Sequence, residues 1–144
     1  PITNTRQQSA SELIQRLSSQ GVRLNVTAIL TLYQVREVAA VVQNGPGCIV
    51  SVFAGRIADT GVDPIPIMKD ALAILQSVPN AELLWASPRE VLNIYQADAI
   101  GCDIITATND LLRKLSLAGK DLAEYSLDTV RMFYNDAQNA GYQL

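Results

Sequence analysis

Three short polar clusters, each closing an apolar run, hold the residue types that could do chemistry here. Asn25 and Thr27 alternate with Leu24, Val26 and Ala28, a spacing that puts both side chains on one side of a strand. Ser51 and Phe53 repeat that spacing after Gly47-Cys48-Ile49-Val50, and Arg56 follows behind Gly55, where a glycine lets backbone come close to a ligand. Ser87-Pro88-Arg89-Glu90 closes the run Ala81 to Ala86. Guanidinium groups placed after strand-like runs suit an anionic ligand.

A phosphate monoester carries close to two negative charges near neutral pH, and two guanidinium groups can meet it through charge-assisted, often paired hydrogen bonds. Arg56 and Arg89 are the candidates, because they follow consecutive strand-like runs. Each cluster also has a plain structural alternative. Asn25 and Thr27 read equally as satisfied polar residues in a strand, Phe53 as core and Arg56 as an exposed loop residue. Ser87 reads as a helix N-cap, Pro88 as the first helical position and Glu90 as the closing member of a capping box. That reading puts Arg89 in the first helical turn, where a cation does not favour the helix dipole, so a bound anion would better explain it.

Other chemistries are excluded by residue type. The chain has no histidine, which removes Ser-His-Asp triads, Cys-His pairs and histidine metal sites. Its cysteines, Cys48 and Cys102, each lie in an apolar run and read as small buried hydrophobes. Asp63 reads as a helix cap, Asp103 and Asp110 as solvated or capping, and these acids together with Asp59 form no spaced metal cluster.

The elements that must position the clusters follow from periodicity. Ala10, Leu13, Ile14 and Leu17 predict a helix between Thr5 and Gly21, followed by a strand over Val22 to Ala28. A second helix starts at Thr31, with Leu32, Val35, Val38, Ala39 and Val42 apolar, and Asn44-Gly45-Pro46-Gly47 ends it. Asp63-Pro64 starts a third, carrying Met68, Ala71, Leu72 and Leu75. Strand over 81–86, helix over 87–98, strand over 102–106 and helix over 108–118 continue the alternation. A C-terminal helix over 125–144, with Val130, Phe133, Tyr134 and Ala137 on one face, has no strand after it.

Strands of this length alternating with helices predict an α/β fold with a parallel sheet, built from right-handed βα units. A closed TIM-type (β/α)8 barrel needs at least roughly 200 residues. The 144 residues here supply about the C-terminal half of one, as four βα units plus a C-terminal helix. Such a half exposes two sheet edges and an apolar face, so association into a homo-oligomer, or with missing strands, is expected.

Taken jointly, Asn25-Val26-Thr27, Ser51-Val52-Phe53-Ala54-Gly55-Arg56-Ile57 and Trp85-Ala86-Ser87-Pro88-Arg89-Glu90 resemble the transaldolase family, which includes the fructose-6-phosphate aldolases. The run Gly101 to Asp110 supports the match, which covers essentially the whole chain. The resemblance implies a class I aldolase without metal or other cofactor, in which a lysine forms a Schiff base with a ketose and passes a dihydroxyacetone unit to an aldose phosphate. By the same resemblance Thr27 and Phe53 are catalytic, holding and flanking a water, while Asn25, Ser51, Arg56, Ser87 and Arg89 bind substrate. It implies as ligands fructose 6-phosphate, sedoheptulose 7-phosphate, erythrose 4-phosphate and glyceraldehyde 3-phosphate, in the pentose phosphate pathway of the cytoplasm.

Phenylalanine at position 53 is the residue typical of transaldolases, and tyrosine that of fructose-6-phosphate aldolases, which stays as the alternative enzyme. The family's reactive lysine would fall just ahead of Pro1, in a Lys-x-Pro pattern, and its acid-base aspartate and water-holding glutamate on earlier strands. Lys69, Lys114 and Lys120 fall on predicted helices or a loop, so this chain by itself is expected to be inactive. The N-terminus reads as a cut, without a leader. The alternative of a different class is a sugar-phosphate-binding or half-barrel assembly module without turnover. Scattered basic residues and a net charge of −3 argue against nucleic acid as partner, and no apolar stretch approaches a membrane span.

Overall fold

The computed structural model describes residues 1–142. Its elements run α1 (Ser11–Ser19), β1 (Leu24–Ile29), α2 (Leu32–Val41), β2 (Cys48–Val52), α3 (Ala54–Asp59), α4 (Pro64–Leu75), β3 (Ala81–Trp85), α5 (Val91–Ala99), β4 (Ile104–Ile105), α6 (Asn109–Lys114) and α7 (Leu122–Asn139), with a 3-10 turn at Leu115–Leu117. The strands form one parallel sheet in sequence order, β1-β2-β3-β4. This α/β architecture is consistent with part of a TIM-type barrel.

The register sorts side chains onto two faces. Val26, Val50 and Leu83 are register partners, as are Val52 and Trp85, and all are buried. They form one core with Val35 and Val38 of α2, Met68, Ala71 and Leu75 of α4 and Ala97 of α5. Strand residues one position away belong to the opposite face: Asn25, Ile49 and Glu82 in one layer, Ser51 and Leu84 in the next. Ser51 and Leu84 are only 3% and 6% exposed.

Local chemistry sets the helix starts. Thr31 accepts from the Gln34 N–H while the Gln34 side chain accepts from the Thr31 N–H, a capping box at α2. Asp63 accepts from Ile65 N–H ahead of Pro64, as expected for α4.

Several expected boundaries are corrected. The first helix begins at Ser11 rather than Thr5, because Asn4 Oδ1 accepts from the N–H groups of Arg6 and Gln8 and folds the segment into a turn closed by a Thr3–Ser9 antiparallel bridge. Leu13, expected on its buried stripe, is exposed, and Ser18 is buried instead. The strand expected over 102–106 shortens to Ile104–Ile105: Asp103 Oδ2, not a backbone carbonyl, accepts from Leu83 N–H at 2.8 Å. The helix expected over 108–118 is α6 followed by the 3-10 turn.

The chain divides into two compact units, Pro1–Leu112 and Arg113–Leu144. The second contains α7, capped by Asp121 and starting at Leu122. Its Val130, Phe133 and Tyr134 are exposed. Gln143 and Leu144 of the C-terminal helix expected over 125–144 lie outside the described residues. No helix among the described residues is long and apolar enough to cross a membrane.

Candidate functional site

The polar clusters of Ser51–Arg56 and Ser87–Arg89 lie at and after the carboxyl ends of β2 and β3, while Asn25 and Thr27 lie within β1. Ser51 Oγ donates to Asn25 Oδ1 at 2.7 Å, so the first two clusters share a hydrogen bond across adjacent strands. Asn25 is exposed and its Nδ2 has no partner among the described residues, which leaves two amide donors for a ligand.

Thr27 lies where the ladder breaks. Val26 pairs with Val50 but Ile29 pairs with Val52, so Thr27 and Ala28 together oppose Ser51 in a bulge. Ala28 takes φ +63°, a conformation that costs a residue with a Cβ about 1–2 kcal/mol. The surroundings hold it there: Ile2, fully buried, donates its N–H to the Thr27 carbonyl at 3.0 Å, and Ile29 carbonyl accepts from Phe53 N–H at 2.8 Å.

Arg56 is not in a loop as expected but on α3, which starts directly after Phe53. Its guanidinium carbon lies 5.0 Å from the centre of the Phe53 ring, a cation–π contact that restrains an otherwise exposed side chain.

Gly55 does allow a close approach, though to the neighbouring loop and not to a ligand. A Cβ at Gly55 would sit 1.5 Å from the Ser87 carbonyl oxygen and 2.6 Å from its carbon. Gly55 N–H also donates to the Ala86 carbonyl at 3.2 Å. The segments after β2 and β3 are thus packed backbone to backbone.

The expected helix start at Ser87 is also corrected. Ser87 has φ +58°, and α5 begins at Val91 with Glu90 as its cap residue. Asn93 Oδ1 accepts from the N–H groups of Arg89 and Glu90, at 2.7 and 3.2 Å, which fixes the turn before the helix. Arg89 therefore precedes the helix instead of occupying its first turn, and the dipole argument for an anion there lapses.

Arg89 also has a partner. Its Nε donates to Asp59 Oδ1 at 3.0 Å and its Nη2 to Asp59 Oδ2, a two-pronged pair joining the end of α3 to the segment before α5. Ser87, Pro88 and Arg89 further line a cleft of ≈ 360 Å³ with Thr106, Ala107 and Thr108. Sequence reasoning gave Asp59 no role and missed Thr106 and Thr108. The spacing of Arg56 and Asp59 on one helix was the available signal for the acid, but its partner lies on another element.

A family model described as Transaldolase/Fructose-6-phosphate aldolase matches residues 1–144. The chain belongs to this transaldolase/fructose-6-phosphate aldolase family. A probable transaldolase of Nitrosopumilus maritimus is 32% identical over 101 residues, 69% of this chain and 44% of that protein. One of Kosmotoga olearia is 30% identical over 71% of this chain and 45% of its own length. Another, of Desulfosudis oleivorans, is 28% identical over 88% and 56%. The chain spans about half the length of the relatives it matches.

Proposed function

We propose that this chain is the phosphate- and hydroxyl-binding part of a transaldolase that passes a dihydroxyacetone unit between sugar phosphates through a lysine Schiff base. The observation that carries the reading is the contact of Gly55 with Ser87, which brings the Phe53–Arg56 and Ser87–Arg89 segments side by side at the carboxyl ends of neighbouring parallel strands. Arg56 and Arg89 then take the phosphate with the Ser87 hydroxyl, while Asn25 and Ser51 take sugar hydroxyls. Thr27 holds the catalytic water and the Phe53 ring borders it.

The Schiff-base lysine belongs to the segment ahead of Pro1. Ile2 is tied to Thr27, so an extended chain traced back from Ile2 would bring the lysine of a Lys-x-Pro pattern level with Asn25. Lys69 lies on α4, Lys114 ends α6 and Lys120 pairs with Asp128. None is at the carboxyl end of a strand, and we assign the reaction to none of them. In this reading the sheet is part of a (β/α)8 barrel completed by other strands, in an assembly of several copies.

Two measurements test this. Calorimetry with fructose 6-phosphate should show binding that Arg56→Ala weakens at least about tenfold, the worth of a charged hydrogen bond. Borohydride reduction with the same sugar should label no lysine of this chain; a label at Lys69, Lys114 or Lys120 would refute the assignment. Phe53 in place of a tyrosine supports transfer over the aldolase alternative, so Phe53→Tyr in the parent enzyme should raise aldol cleavage relative to transfer.

A further inference from the structure

Arg89 meets Asp59 through two of its three nitrogens, Nε and Nη2. Nη1 is the nitrogen with no hydrogen bond among the described residues, and the side chain borders the cleft shared with Ser87, Thr106 and Thr108. Both members of the pair are about half exposed, at 49% and 50%, so the pair adds little to stability. Asp59 also closes α3, the end at which a carboxylate is disfavoured by the helix dipole. Neither folding nor helix energetics accounts for an acid at this spot. The fixed guanidinium does.

We propose that Asp59 is a positioning residue for anion binding: it grips one edge of Arg89 and presents the remaining nitrogen to the phosphate of the ligand. A free arginine side chain must lose about 2 kcal/mol of rotamer entropy when it binds, and a guanidinium already held by its fork loses less. The anchoring acid lies on α3, three residues after Arg56 and so on neighbouring positions of the helix surface. This rests on the phosphate-binding reading above and names a residue that reading does not use.

The sign of the effect makes the test decisive. A carboxylate beside a phosphate repels it, so if Asp59 were a bystander, Asp59→Asn would tighten phosphate binding. Positioning predicts the reverse: calorimetry of the full chain with inorganic phosphate should show Asp59→Asn weakening affinity roughly two- to fivefold. In an Arg89→Ala background, where there is nothing left to orient, Asp59→Asn should tighten binding. Asp59→Glu, which keeps the carboxylate, should restore affinity toward that of the unchanged chain. Thermal unfolding of each variant should stay near the unchanged chain, as expected for a half-exposed pair. Tighter binding by Asp59→Asn, the same effect in both backgrounds, or no rescue by glutamate overturns the proposal. If phosphate binds and Arg56→Ala weakens it while Asp59→Asn does not, only the role of Asp59 falls. If the unchanged chain binds no phosphate, the phosphate site and the role of Asp59 fall together.

Discussion

Gly55 lies against the carbonyl of Ser87 so closely that the smallest side chain would place its Cβ 1.5 Å from the oxygen. The opposing group is backbone, and it cannot rotate away as a side chain can. Gly55→Ala must therefore separate the segments after β2 and β3, and with them the two arginines. We expect a loss of at least about 1–3 kcal/mol in urea unfolding, the usual cost of overpacking, together with weaker phosphate binding. An alanine variant of unchanged stability would contradict this packing.

Trp85 is fully buried, and its Nε1 has no hydrogen-bond partner among the described residues. An unmade hydrogen bond of this kind costs about 1–3 kcal/mol. Trp85→Phe removes the donor together with part of the ring, so relief of the polar penalty offsets the lost packing, and its melting temperature should stay close to that of the unchanged chain. Trp85→Ala should lose about 3–5 kcal/mol. A loss of about 2 kcal/mol or more for Trp85→Phe would mean that the indole N–H makes a hydrogen bond in solution.

Burial raises the Cys48 thiol above its ordinary pKa, offset in part by a backbone hydrogen bond with Val26; the Cys102 thiol is raised in the same way. A raised folded-state value means the unfolded chain releases the proton first. The resulting stability is complete below the unfolded thiol pKa of about 8.5 and declines as pH rises through the folded one. Mass spectrometry after iodoacetamide at pH 8 should find Cys48 unmodified in the folded chain and alkylated in denaturant, with unfolding becoming easier above about pH 9. Rapid alkylation of Cys48 without denaturant would show that the sheet opens.

Much of the architecture was legible in the residues because it rests on local rules. Alternation and helical spacing located the strands and helices, and Asp63-Pro64 marked a helix start that the backbone adopts. The polar clusters were legible too, since each ends an apolar run. Failures fell where a side chain from elsewhere takes over a backbone group. Asn4 folds its own neighbours into a turn, Asp103 replaces a ladder acceptor, and Asn93 delays the helix after Ser87.

The sequence by itself determined which groups are available: two guanidinium groups, three hydroxyls and an amide in or just after strands, in a chain with no imidazole. Only the tertiary structure decided how they are held. Asn25 meets Ser51 because two strands run parallel in one register, Gly55 is a contact with Ser87 rather than a ligand, and Arg89 answers to Asp59. Spacing along a chain reports which side chains share a face of one element. Contacts between elements depend on register, a bulge and a positive φ, which arise only when the strands have paired.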